Sequence, residues 1–158
     1  MTEKHRHSPR PDGIDPAARS RARRRALQAV YAWQLSGQNI AQVIAQFRDE
    51  QDMEVADLEY FEALVRGVEK NLGRLDEEMR HFTDREIAQI DPIERGVLRI
   101  AAYELLFRID VPYRVVLNEA IETAKRFGAE HGHTYVNGVL DKAAAVWREA
   151  EVGGGKRA

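Results

Sequence analysis

The stretch RSRARRRALQAVYAWQL, residues 19–35, indicates both the fold and the surface character of this protein. Its first seven residues include five arginines, and its second half carries apolar side chains at the spacing of one helix face. We interpret it as one α-helix with a cationic N-terminal half and a second half anchored in a core. Since a helix N-terminus favours anions over cations, the arginines indicate a polyanionic partner, with RNA favoured.

The length and composition predict one soluble domain. The chain has 158 residues, of which 44% are hydrophobic and 32% charged. It has no cysteine, which excludes disulfides, thiolate metal sites and cysteine nucleophiles. No apolar run approaches the roughly 20 residues of a membrane span, and the N-terminus lacks the apolar segment of a secretory signal. We therefore expect a cytoplasmic protein that does not enter a membrane.

The charge of the chain is divided unevenly. The formal net charge is −2, yet residues 1–25 carry eight basic and three acidic side chains, a net of +5. A basic arm on an acidic body is typical of nucleic-acid contact. For residues 1–15 alone, a merely solvated disordered tail is an equal alternative.

Helical periodicity continues along the whole chain, and no alternating β pattern appears. We expect an all-α fold with about six or seven helices, over residues 16–36, 39–51, 57–79, 92–106, 112–127 and 132–147, with a short turn at 83–89. The helix at 92–106 is apolar nearly all round, which predicts a central, buried position. The predicted organisation is a disordered basic arm at 1–15, a single all-helical RNA-binding domain at 16–150 and a flexible tail at 151–158.

The sequence contains no recognisable catalytic constellation. There is no Walker loop and no dinucleotide-binding glycine pattern. His131 and His133 lack the helical spacing of a metal pair. We therefore expect no enzymatic activity, no cofactor and no metal. Tyr31 and Tyr135 are candidates for stacking on bases and Asn137 for bonding to a base edge, although spacing alone favours a packed or capping role for each.

Five blocks of this sequence together resemble one protein family. They are RRRALQAVYAWQL at 23–35, IERGVLRIAAYEL at 93–105, VPYRVVLNEAIETAK at 111–125, FGAE at 127–130 and YVNGVLDK at 135–142. In this order they resemble the NusB transcription antitermination factors, over roughly residues 17–147. The resemblance implies an all-helical fold of two packed bundles. It also implies binding to single-stranded boxA RNA of ribosomal RNA operon transcripts, a heterodimer with the ribosomal protein NusE, action on the RNA polymerase elongation complex with other Nus factors, and no catalysis.

The resemblance also assigns roles to individual residues. It implies RNA contacts by Arg19, Arg21, Arg23, Tyr31, Thr134 and Tyr135, with Asn137 nearby. Arg24 and Arg25 are further RNA-binding candidates that would compensate for Thr134, which stands where the family often has lysine. Glu94 would lie at the NusE-facing surface, although its place as a capping-box residue is an alternative reason for it. His131 departs from an acidic or polar residue in the family.

Three alternatives remain open at this point. A helical protein-binding scaffold would carry the arginines only for solubility. The RNA-binding domain of certain ribosomal RNA cytosine methyltransferases has a similar helical pattern, but this chain has no segment for a cofactor-binding sheet. The free protein would be either a monomer or a homodimer.

Overall fold

The computed structural model describes residues 13–50 and 56–157, and every regular element in these ranges is helical. Most of the predicted basic arm, residues 1–12, lies outside the described residues. The α-helices are α1 Pro16–Ser36, α2 Ile40–Glu50, α3 Leu58–Lys70, α4 Leu72–Met79, α5 Pro92–Phe107, α6 Tyr113–Phe127, α7 Gly132–Trp147 and α8 Glu149–Arg157, with a 3-10 turn at Ile87–Gln89. The predicted all-α class is confirmed. None of these helices is both long and apolar enough to cross a bilayer.

The helix starts are set by the side chains that the sequence marks as caps. Asp15, Asn39, Asp57 and Asp91 each accept a hydrogen bond of 2.8–3.0 Å from a backbone N–H in the first turn of the helix that follows. At the other end of α1, Gly37 adopts φ 70°, in the left-handed region. These caps place the beginnings of α1, α2, α3 and α5 where the sequence predicts them.

The long helix predicted over residues 57–79 is divided into α3 and α4. The break is at Asn71, whose φ of −110° and ψ of 19° leave the helical region. The Gly67 carbonyl accepts both the Asn71 backbone N–H at 3.1 Å and the Asn71 side-chain amide at 2.9 Å, so the side chain adds a local bond at the end of α3. The apolar stripe continues through the bend because Leu75 and Met79 are also buried.

The segment predicted as a flexible tail, residues 151–158, is helical through residue 157. α8 spans Glu149–Arg157 and follows α7 after one residue, Arg148. The Arg148 guanidinium is buried and donates to the Leu105 carbonyl at 2.8 Å and the Arg108 carbonyl at 3.1 Å, at the C-terminal end of α5. It also pairs with Glu151 at 2.6 Å, and Glu151 accepts from the Tyr113 N–H at 3.0 Å. These contacts fix the start of α8 against α5 and α6.

Helix α5 is the centre of the molecule. It packs against α1, α3 and α4 on one side and against α6 and α7 on the other, and its apolar residues Val97, Leu98 and Leu105 are buried. The prediction of a central, buried helix is therefore confirmed. Two carboxylates on α5, Glu94 and Glu104, are also buried, and both take part in the arrangement of the candidate site.

Candidate nucleic-acid interface

The five arginines of α1 do not share one surface. Arg23 is 5% exposed, whereas Arg19, Arg21, Arg24 and Arg25 are each partly exposed. This burial leaves little of Arg23 for the RNA contact that the resemblance implies. The reason is helical spacing: residue 23 precedes the buried residues 26, 27 and 30 by three, four and seven positions, and so belongs to the core-facing side of α1.

Arg23 forms a buried ion pair with Glu104 of α5. Its Nε and Nη2 donate to the carboxylate at 3.0 Å and 2.8 Å, and the Tyr60 hydroxyl of α3 donates to the same carboxylate. Burial acts to lower the Arg23 pKa, but the hydrogen bond and charge of Glu104 outweigh it and raise that pKa. Burial and the Glu104 charge raise the pKa of Tyr60 as well. Through Glu104, Arg23 and Tyr60 thus connect α1 and α3 to α5 and fix the part of α1 that carries the exposed arginines.

Arg19 is held at the edge of this network. Its guanidinium lies 4.0 Å from the centroid of the Tyr60 ring, and its Nε is 3.6 Å from Oδ2 of Asp57. The guanidinium of Arg108 lies 4.8 Å from the same ring centroid. Cations over an aromatic face are stabilised by its quadrupole. Arg19 therefore contacts α3 and the residue before it, and only the exposed part of its side chain is available to a ligand.

Arg24 lines a groove between α1 and α6 together with Lys125 and Arg126. Burial first, and then the charge of Arg126, lowers the pKa of Arg24. On the same helix, Arg25 donates to Gln28 at 3.3 Å. Sequence reasoning missed Lys125 and Arg126, although two adjacent cations in the last turn of α6 are a usable signal for a basic surface.

Tyr31 is partly buried but does not pack against the hydrophobic core. Spacing alone favoured a core position for this residue, whereas the structure leaves it partly exposed on α1. Its neighbour Trp33 does pack against the core. A partly exposed tyrosine keeps part of its ring available to a ligand.

Tyr135, at the start of α7, is oriented by an exposed ion pair. Its hydroxyl donates to Oδ1 of Asp84 at 3.1 Å, and the guanidinium of Arg85 lies 4.8 Å from its ring centroid. Arg85 also donates to both oxygens of Asp84, at 2.8 Å and 3.1 Å. This hydrogen bonding from Arg85, assisted by Tyr135, lowers the pKa of Asp84 to about 2. Nothing in the sequence indicates that residues 84 and 85 reach α7.

Thr134 and Asn137 are exposed beside Tyr135. Thr134 and Tyr135 line a shallow groove that also includes Phe82 and Lys142. Lys142 lies about two helical turns after Thr134 on α7. It adds a positive charge to the groove, whereas the threonine at position 134 is uncharged. The structure thus brings the predicted residues of α7 together, and it adds Asp84, Arg85 and Lys142 to them.

Glu94 does not lie on an exposed surface. It is 4% exposed, and its carboxylate accepts the Ala129 N–H at 3.2 Å, in the connection between α6 and α7. A Cβ on Gly128 or Gly132 would lie 2.3 Å or 2.0 Å from Oε2 of Glu94, so both glycines make room for the carboxylate. Burial, followed by the charge of Asp91, raises the Glu94 pKa. Glu94 is therefore little exposed, and its carboxylate holds the 128–132 connection, while its role at the NusE-facing surface stays a prediction.

Comparison with known proteins identifies the family to which this arrangement belongs. The model of the NusB family matches residues 20–145, which include α5, α6 and most of α1 and α7. The chain belongs to the NusB family. Transcription antitermination protein NusB of Xanthomonas axonopodis pv. citri (strain 306) is 67% identical over 149 residues, covering 94% of each chain. That of Xanthomonas oryzae pv. oryzae (strain PXO99A) is also 67% identical, covering 94% of this chain and 96% of the relative.

Solved NusB structures share the fold. A T. maritima NusB structure is 32% identical, has a TM-score of 0.72, and is matched over 80% of this chain and 90% of that one. NusB in a complex described as NusB and NusE with dsRNA has a TM-score of 0.69 at 23% identity, over 78% and 93% of the two chains. Because the Xanthomonas NusB proteins match over nearly their full length, the methyltransferase alternative is not supported, and the family is non-catalytic.

Proposed function

We propose that this protein is a cytoplasmic transcription antitermination factor that binds single-stranded boxA RNA of ribosomal RNA operon transcripts together with NusE. The pair would then act on the RNA polymerase elongation complex with other Nus factors. The observation that carries this proposal is the 67% identity to transcription antitermination proteins over 94% of both chains. A related fold in a complex with NusE and RNA supports the choice of partners.

The RNA surface of this proposal has two parts. The first is the exposed side of α1, where Arg21, Arg24 and Arg25 offer cations to phosphates, with Arg19 partly available. Guanidinium groups bind phosphates through paired, charge-assisted hydrogen bonds. Arg23 supports this surface from below through Glu104 and does not contact the ligand.

The second part is the start of α7, where Tyr135 would stack on an unpaired base. Stacking of a base on an aromatic side chain contributes about 1–3 kcal/mol. Its ring is already oriented by the hydrogen bond to Asp84, so little side-chain freedom remains to be lost on binding. Thr134 and Asn137 are exposed on either side of it, and Tyr31, partly exposed on α1, offers another ring.

Glu94 acts on NusE binding through position rather than contact in this proposal. Its carboxylate fixes the connection that leads from α6 into α7. Loss of that anchor would displace the residues at the start of α7. We therefore treat Glu94 as a positioning residue for the partner-binding surface.

The test is fluorescence anisotropy of a labelled boxA RNA and of a scrambled RNA of equal composition, with and without NusE, over a salt series. We expect preferential binding of boxA RNA, strengthened by NusE. The double variant Arg24→Gln/Arg25→Gln should reduce the log–log salt slope by about 0.7 for each phosphate that is no longer neutralised. Arg74→Gln/Arg114→Gln is the matched control, since both residues are exposed and belong to other helices. Equal, salt-insensitive affinity for both RNAs would reject the proposal and favour a protein-binding scaffold.

A further inference from the structure

The groove between α1 and α6 is lined by more basic than acidic side chains. It is lined by Ser20, Arg24, Glu119, Glu122, Thr123, Lys125 and Arg126. Arg24 enters it from α1 and Arg126 from the last turn of α6. Two helices that are far apart in sequence thus each bring a guanidinium group to one groove.

The acidic residues of this groove already have partners. Glu119 accepts from the Ser20 hydroxyl at 2.9 Å and lies 3.6 Å from Nη1 of Arg23. Glu122 lies 4.0 Å from Nζ of Lys125. Glu119 therefore joins α6 to α1 and offsets part of the positive charge near Arg24, whereas Glu122 contacts only its own helix.

The two arginines of the groove have no such pairing. Within the described ranges 13–50 and 56–157, neither Arg24 nor Arg126 forms a hydrogen bond or an ion pair with a carboxylate. The guanidinium of Arg126 lies instead near the Phe127 ring, at 6.0 Å from its centroid. Both arginines line the same groove, and the charge of Arg126 acts to lower the pKa of Arg24. An anion placed between them would bind both.

We propose that Arg24 and Arg126 together bind one phosphate group of the RNA strand in the α1–α6 groove. This inference rests on the proposed RNA-binding function and adds α6 to the RNA surface. α6 ends at Phe127, and the connection held by Glu94 then leads to Tyr135. Along the chain, the groove residues of α6 are thus followed by the connection that leads to the stacking site of α7.

The experiment compares Arg126→Gln with Arg114→Gln in the full chain, with NusE present, using boxA RNA over a salt series. Both variants remove one exposed positive charge from α6, so the two variant proteins have the same net charge. The two positions are twelve residues apart on the helix, which corresponds to about 18 Å. We expect Arg126→Gln to weaken binding about tenfold and to reduce the salt slope by about 0.7, with Arg114→Gln unchanged. Arg24→Gln should have the same effect, and the double variant should lose less than the two single losses combined, because one phosphate is shared.

A second arm identifies the phosphate itself. Neutral methylphosphonate groups are introduced at one position of the RNA at a time. One position should weaken binding by the wild-type protein but not by Arg126→Gln. If every position affects both proteins equally, or if Arg126→Gln behaves as Arg114→Gln does, this inference is overturned while the RNA-binding function stands. If the wild-type protein shows no salt-dependent binding of boxA RNA, the proposed function itself fails.

Discussion

Removing the charge of Glu104 is predicted to destabilise the fold without changing the cationic surface. Glu104→Gln preserves the shape of the side chain but leaves Arg23 charged, because the Arg23 pKa is raised in the folded protein. The two side chains are 6% and 2% exposed, so water cannot replace the missing partner. Breaking a buried pair in this way costs about 3–5 kcal/mol. For a chain of this size that corresponds to a decrease in Tm of about 6–20 °C.

The measurement is urea unfolding followed by circular dichroism, with RNA affinity measured separately at low temperature. Arg24→Gln is the matched control on the same helix and should change the free energy of unfolding by less than about 0.5 kcal/mol. Arg23→Met combined with Glu104→Gln should recover part of the loss, since no unpaired charge remains buried. The reasoning is refuted if Glu104→Gln leaves the free energy of unfolding within about 1 kcal/mol of wild type, or if Arg23→Gln weakens RNA binding about tenfold without a larger loss of stability than that.

Three further predictions concern the start of α7. Gly132→Ala should destabilise the protein by more than about 1 kcal/mol in urea unfolding, because the new Cβ would lie 2.0 Å from Glu94. The control Gly138→Ala should stabilise the protein slightly, because no atom lies within 4 Å of its Cβ position. Because the pKa of Glu94 is raised in the folded protein, the contribution of this residue to the free energy of unfolding should fall as pH rises above 4.5. In urea unfolding at several pH values, Glu94→Gln should reduce this pH dependence, and the control Glu130→Gln, at an exposed position, should not. Tyr135→Ala should weaken RNA binding by about 1–3 kcal/mol in anisotropy titrations, and Tyr135→Phe, which keeps the ring, by much less. Equal losses for the two tyrosine variants would contradict stacking.

The fold was largely predictable because its determinants are local. Asp15, Asp57 and Asp91 stand directly before apolar stripes of helical period, and each caps the helix that follows. The break at Asn71 was not predictable, because the apolar stripe passes through it unchanged. α8 was missed because Gly153–Gly155 resembles a tail, whereas the contacts of Arg148 with residues at least 40 positions away fix its start.

The residues of the candidate site were predictable only where the sequence itself indicates which side chains are exposed. Five arginines within seven residues are chemically alike, and Arg23 is distinguished only by its position on the inner face of α1 and by Glu104, 81 residues later. Glu94 has the spacing of a capping-box residue, but its partner is Ala129, beyond the reach of local reasoning. Pairings between distant residues therefore decide which members of a recognised motif face a ligand.

The contacts of Arg148 define how much of the chain is needed for folding. The NusB family match ends at residue 145, before Arg148. Yet this guanidinium donates to the carbonyl of Leu105, in the last turn of the central helix, where carbonyls lack partners within the helix. It also donates to the carbonyl of Arg108, which accepts the Val111 N–H as well. A truncation at residue 145 would keep every block of the family resemblance and would remove the cap of α5. We therefore expect a fragment that ends at residue 145 to be less stable than the full chain, because it lacks an arginine that binds backbone rather than RNA.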